Sequence, residues 1–144
     1  MFSKACEYAI KACIFVAQSS IRNERVTPKQ IAEEINSPVA FTAKIMQQLV
    51  KNNLVSSYRG AYGGFEIEKD RVAQISLSQI VSAIDGDKIF NGCGLGLDAC
   101  SESHPCPVHH QYKTIRQDLQ KLLDSTNLKQ LALGIETGLS YLKT

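Results

Sequence analysis

Three helical stretches, the second and third separated by only a few residues, are followed at once by a glycine-rich tip set between two β-type runs. That order constrains the fold more than any figure of composition. The first stretch, over residues 2–18, puts Phe2, Cys6, Ala9, Ile10, Cys13, Val16 and Ala17 at helical spacing, with Lys4, Lys11 and Gln18 off that face. Cys6 and Cys13 read as small buried hydrophobes on it. Arg22-Asn23-Glu24-Arg25 is a polar turn, after which Thr27 offers an N-cap, Pro28 a first helical position and Gln30 the far side of a capping box. Ile31, Ala32 and Ile35 form the inner face of this second helix, and Asn36-Ser37-Pro38 breaks it. A third helix is expected over 38–52, with Phe41, Ile45, Met46, Leu49 and Val50 as its apolar stripe. Leu54 to Tyr58 then alternates as a strand, Arg59-Gly60-Ala61-Tyr62-Gly63-Gly64 turns, and Phe65 to Glu68 returns as a second strand. Helix, helix, turn, helix and hairpin in that order is a winged helix–turn–helix.

Beyond the hairpin, Ser76 and Ser78 are candidate caps for a helix with Leu77, Ile80, Val81 and Ile84 inside, ended by Asp85-Gly86-Asp87. Residues 91–107 hold three cysteines among glycines and prolines and read as a loop. A helix over 108–123 follows, in which Val108, Tyr112, Ile115, Leu119 and Leu122 step at heptad-like spacing. A last segment, about 127–142, carries Leu128, Leu131, Ala132, Ile135, Leu139 and Leu142. The fold class is therefore mainly α with a small β-hairpin. Residues 1–75 form the winged helix–turn–helix part, and 76–144 hold a linker helix, the cysteine loop and a long C-terminal helix.

The net charge of +2 identifies no partner, but its distribution is informative. No acid occurs between Asn36 and Phe65, while Lys44, Lys51 and Arg59 are present, which is the pattern expected where phosphates approach. On the third helix Ala40, Ala43, Lys44, Gln47 and Lys51 share a second face. Small residues near the helix start let the backbone enter a major groove, Gln47 can pair with an adenine edge, and Lys44 can reach guanine acceptors or a phosphate. Pro38 and Phe41 at the helix start complete this set. Arg59 lies at the hairpin tip beside Tyr62 and Gly63, where it can insert into a narrow minor groove. No apolar run is long enough to span a membrane, and the opening Met1-Phe2-Ser3-Lys4, with Glu7 and Lys11 inside the apolar stretch, is not a secretory signal. A cytoplasmic protein is the expectation. No Cys-x-x-Cys, no converging Ser/His/Asp set and no phosphate-binding glycine fingerprint supports an enzyme.

The run Tyr58-Arg59-Gly60-Ala61-Tyr62-Gly63-Gly64-Phe65, just after Leu49 to Val55, resembles the wing of the iron–sulfur cluster winged-helix transcription regulators, the family that includes IscR and NsrR. The opening Glu7-Tyr8-Ala9, the pair Ile31-Ala32 and the triple-cysteine loop before a long helix fit the same pattern. The resemblance implies a homodimer built through the long C-terminal helix, palindromic promoter DNA as partner, and a cluster that modulates DNA binding in response to redox, nitric oxide or iron–sulfur status. Ala40, Ala43 and Lys44 occupy the base-contacting places but are not the residues IscR carries there, so no operator sequence is implied.

The same resemblance makes Cys93, Cys100 and Cys106 cluster ligands, with His109 as fourth ligand. An NsrR-like arrangement would instead use Glu7 from the other subunit. Three soft thiolates in a flexible loop suit a two-iron or a four-iron cluster. The spacing Cys93-x6-Cys100 is one residue longer than the IscR pattern, which leaves cluster type open. Two cluster-free readings stand beside it: structural zinc, although no tight cysteine pair is present, and a repressor that uses its thiols directly as sensor.

Overall fold

The computed structural model describes residues 1–143. The long first helix, α1 (Lys4–Ile21), is the hub. It is followed by α2 (Pro28–Ile35), α3 (Val39–Lys51) and a two-stranded hairpin of β1 (Ser56–Tyr58) and β2 (Gly64–Glu66). Then come α4 (Lys69–Val72), α5 (Leu77–Asp85), α6 (Lys88–Asn91), α7 (His109–Ser125) and α8 (Leu128–Glu136). This is a mainly helical winged helix–turn–helix, as the sequence indicates.

Local chemistry sets most of the boundaries. Thr27 and Gln30 form the reciprocal capping box at α2, with Pro28 in the first turn. Asn36 ends α2 in the left-handed conformation (φ 53°), which Asn tolerates better than most residues. Ser76 and Gln79 cap α5, and Asn127 and Gln130 cap α8, by the same device. The first helix runs three residues beyond the expected 2–18 end. Its last turn is tied into the core: Ser20 Oγ accepts from the Ile67 N–H at 2.9 Å. Gln18, placed on the polar face by pattern alone, is buried and donates from Nε2 to Glu136 of α8 at 3.1 Å.

One core joins α1, α2 and α3 to the wing base, α5 and α8. Ile31, Ile45, Met46, Leu49, Ile67, Ile80 and Leu128 are all buried in it. Cys6 and Cys13 are fully buried, as expected of small hydrophobes, and burial pushes both thiols up to about 12, with Asp85 adding to the effect at Cys6. A second cluster forms where Cys6 and Val81 meet Leu123 of α7.

Three differences from the sequence reading have physical causes. Phe41 is not part of the buried stripe of α3: it is 37% exposed and sets its ring edge against Tyr8, while Thr42 turns inward in its place and donates to the Pro38 carbonyl. The strands are shorter than the runs 54–58 and 65–68, because Leu54, Val55 and Ile67 leave the ladder to enter the core. The segment after Asn127 is helical only to Glu136, and Leu139 beyond it is exposed.

Candidate nucleic-acid interface and cysteine loop

Lys44, Gln47 and Lys51 are exposed on the side of α3 opposite Ile45, Met46 and Leu49, and Ala43 is half-buried between the two faces. Pro38 caps the helix start, where Ala40 and Phe41 are exposed. A shallow groove bordered by Phe41, Lys44, Gln47, Gln48 and Lys51 runs along the helix. A second crevice, between Gln47, Lys51, Ser57 and Phe65, continues it to the wing. Gln47 and Lys51 border both, so the outer face of α3 and the hairpin form one surface.

The hairpin pairs Ser56 with Glu66, Ser57 with Phe65 and Tyr58 with Gly64. Its tip, residues 59–63, closes with the Gly63 N–H on the Gly60 carbonyl at 3.0 Å, and it holds Arg59 and Tyr62 in the open; Tyr62 is 92% exposed. Val26 acts as a third strand through two backbone hydrogen bonds with Phe65, at 3.1 and 2.7 Å. Gly64 is required by this pairing. Its φ is +131°, and a Cβ there would stand 2.7 Å from the Val26 carbonyl oxygen.

Two sets of residues at this surface escape a reading by pattern. Arg25, assigned only to a polar turn, stacks its guanidinium 3.7 Å from the Tyr58 ring centre, meets Glu66 at 3.2 Å and donates to the Tyr62 carbonyl at 3.3 Å. Lys4 and Lys11 flank the ring of Tyr8 at 5.1 and 5.2 Å, beside Phe41. A lone apolar residue, Val26, in the otherwise polar run from Arg22 to Thr27 is the sequence signal for the first set, and spacing of Lys4, Tyr8 and Lys11 along one helical face is the signal for the second.

The three loop cysteines are half-buried against the first turns of α7. The Cys93 sulfur accepts from the Leu95 N–H at 3.4 Å, and the backbone N–H groups of Leu95 and then Leu97, with the Cys106 thiol, hold its pKa below the ordinary thiol range. Cys100 lies 3.4 Å from His109 Nδ1 and accepts from Arg116 at 3.3 Å; Arg116 also donates to the Gly92 carbonyl at 2.6 Å. His109 is buried and its Nε2 has no hydrogen-bond partner. Gly94 lies flat on the Tyr112 ring, where a Cβ would come within 2.8 Å. Glu102 pairs with Lys113, which keeps its carboxyl below the usual range.

Cys93 thus sits with Cys106, and Cys100 with His109. Among the described residues no three of these side chains are grouped closely enough to hold one metal ion. The donor types fit a soft metal centre, and the unpartnered buried nitrogen of His109 is of the kind a ligand would satisfy. A single site needs the two pairs to close on one another. Glu7 is exposed on α1 and paired with Lys4 at 3.4 Å, while His104 and His110 are exposed.

A positively lined helix continuous with a glycine-tipped hairpin on a three-helix core defines a winged-helix transcriptional regulator. The chain belongs to the Rrf2 family, whose model, described as an iron-dependent transcriptional regulator, matches residues 2–133. It is 30% identical over 133 residues to an HTH-type transcriptional regulator of Aquifex aeolicus, covering 91% of this chain and 90% of that one. It is 27% identical to the HTH-type transcriptional regulator IscR of Xenorhabdus nematophila, over 90% of this chain and 77% of that one. The fold is similar to that of CymR, the global cysteine regulator of B. subtilis, with a TM-score of 0.76, 25% identity, and 92% and 95% of the two chains covered. No described helix is long and apolar enough to cross a membrane.

Proposed function

We propose that this regulator is a cytoplasmic homodimer that binds palindromic promoter DNA through α3 and the wing and senses through its cysteine loop. The observation that carries the reading is the single surface running from Lys44 through Gln47 and Lys51 to the hairpin tip. Lys44 and Gln47 would read base edges, Lys51 a phosphate, and Arg59 with Tyr62 and Gly63 the adjacent minor groove. Pro38, Ala40, Phe41 and Ala43 would let the helix start approach closely. Residues 1–75 carry this work. Residues 76–144 carry the sensor and, through the exposed Val108, Ile115 and Leu122 of the α7 seam, the contact with a second copy.

In this reading Cys93, Cys100 and Cys106 hold an iron–sulfur cluster, with His109 as fourth ligand or Glu7 from the other subunit in its place. Bound there, such a cluster supplies a centre sensitive to oxidants and nitric oxide. The protein's own part is mechanical. Arg116 ties the loop start and Cys100 to α7, and His109 opens that helix, so any rearrangement of residues 92–108 is felt by α7 and by α5 and α6 packed on it. A shift between two such arrangements would re-space two recognition helices in a dimer. Anaerobic purification with iron and sulfide analysis, followed by gel shifts of loaded and cluster-free protein on its own promoter, tests this. Affinity independent of loading would contradict the switching role.

A cluster-free thiol sensor is favoured by one observation, the placing of Cys100 between an imidazole and a guanidinium with no second cysteine grouped with the Cys100–His109 pair among the described residues. The likeness to CymR is compatible with it. Colourless, iron-free protein that loses DNA affinity on mild oxidation and regains it with thiol reductant would select this reading.

A further inference from the structure

The wing is a small object to present side chains to DNA. Its ladder is three residues long on each side, and an isolated two-stranded hairpin is marginal in water. Tyr62 is almost fully exposed, and a Cβ at Gly60 would meet nothing, so the tip packs on nothing of its own. Beyond the burial of Phe65 in the core, two features outside the hairpin hold it. One is the backbone pairing of Val26 with Phe65. The other is the side chain of Arg25, which touches every part of the wing at once. Its guanidinium lies 3.7 Å from the Tyr58 ring on β1, it reaches Glu66 on β2 at 3.2 Å, and it donates to the Tyr62 carbonyl in the tip at 3.3 Å.

Charge gives the contact a second consequence. Glu66 is the first acid after the acid-free window from Asn36 to Phe65, and it stands on the strand that carries the tip. Glu66 borders one crevice with Ala61, Tyr62 and Gly63, so a free carboxylate there would repel a phosphate backbone approaching the tip. Arg25 both aims the tip and cancels that charge. Its planar fork can stack and bridge together, which a lysine ammonium cannot do.

We propose that Arg25 is a positioning residue for DNA binding: it locks the wing in the pose that presents Arg59 and Tyr62, and it neutralises Glu66 beside the wing tip. This rests on the reading that the wing meets DNA, and the experiment has an arm that does not. Hydrogen exchange of the wing amides is compared in wild type and Arg25→Ala without DNA. Faster exchange at Gly63 to Phe65, with the helical core unchanged, is expected; unchanged exchange overturns the lock.

Binding is then measured on a duplex selected by the wild-type protein from a random-sequence pool. Loss of a stacked cation and an ion pair should weaken Arg25→Ala by about tenfold. Arg25→Lys should fall between it and wild type. Adding Glu66→Gln to Arg25→Ala should recover about threefold, because it removes the unpaired charge. In an Arg59→Ala background, where the contact that Arg25 positions is already gone, Arg25→Ala should leave the slope of affinity against salt unchanged; a slope lower by about one phosphate there would mean that Arg25 contacts DNA itself, and would overturn the positioning role. Equal affinity of Arg25→Ala and wild type, or no recovery with Glu66→Gln, would overturn the proposal. A wild type that selects no duplex, with faster wing exchange in Arg25→Ala, supports the lock and sinks the DNA reading instead.

Discussion

Gly64 shows how much one residue can fix. Its positive φ and its approach to Val26 leave no room for a side chain. Gly64→Ala should destabilise the fold by about 1–3 kcal/mol, the usual cost of forcing such a backbone position, and a urea melt would record it. The cysteines divide just as sharply. Burial holds Cys6 and Cys13 as thiols far above neutral pH, whereas donated N–H groups favour the thiolate of Cys93. As the pH is raised, alkylation of cluster-free protein should therefore increase at Cys93 before it does at an ordinary thiol, and leave Cys6 and Cys13 unlabelled until the fold is lost. Iodoacetamide labelling read by mass spectrometry gives the order directly. Labelling of Cys13 alongside Cys93 would mean that the core opens. The burial of Cys6 and Cys13 was legible from their helical spacing. The surroundings of Cys93, Cys100 and Cys106 were not, because spacing in a loop without periodicity does not say which thiol meets which partner.

At the scale of elements, pattern and structure agree where periodicity or capping is strong. The capping box at Thr27 and the candidate cap at Ser76 mark α2 and α5 in the sequence, and the fold adds Gln79 to complete a box at Ser76. Agreement fails where a tertiary contact decides. The four-residue helices α4 and α6 have too few residues to show a period, and α4 is held by buried Val72 and by Arg71 donating to the Asn53 carbonyl at 2.5 Å. Phe41 belongs to the apolar stripe by spacing but is drawn outward to Tyr8. Gln18 reads as solvated until α8 closes over it. That closure depends on Leu128, which is fully buried, so Leu128→Ala should cost about 2–5 kcal/mol and expose α1 to hydrogen exchange.

On the scale of the whole molecule, one chain leaves a seam uncovered. Ile115 is 64% exposed and Leu122 57% exposed on the same side of α7, although both are large apolar side chains. If a second copy covers them, replacing both with Glu should give monomers in analytical ultracentrifugation with little change in helicity, and should weaken DNA binding because two half-sites are no longer engaged together. A sedimentation profile unchanged from wild type would place the dimer contact elsewhere.

On the proposed function, α3 and the wing act together as a DNA-reading surface. The most direct test is the affinity of the double variant Lys44→Ala/Arg59→Ala for a duplex selected by the wild-type protein, with sedimentation and thermal melting measured in parallel. Each lost contact is worth about 1–3 kcal/mol, so a loss of about a hundredfold or more is predicted, with assembly and stability intact. Affinity within about twofold of wild type, less than even one such contact is worth, would mean that α3 and the wing do not read DNA.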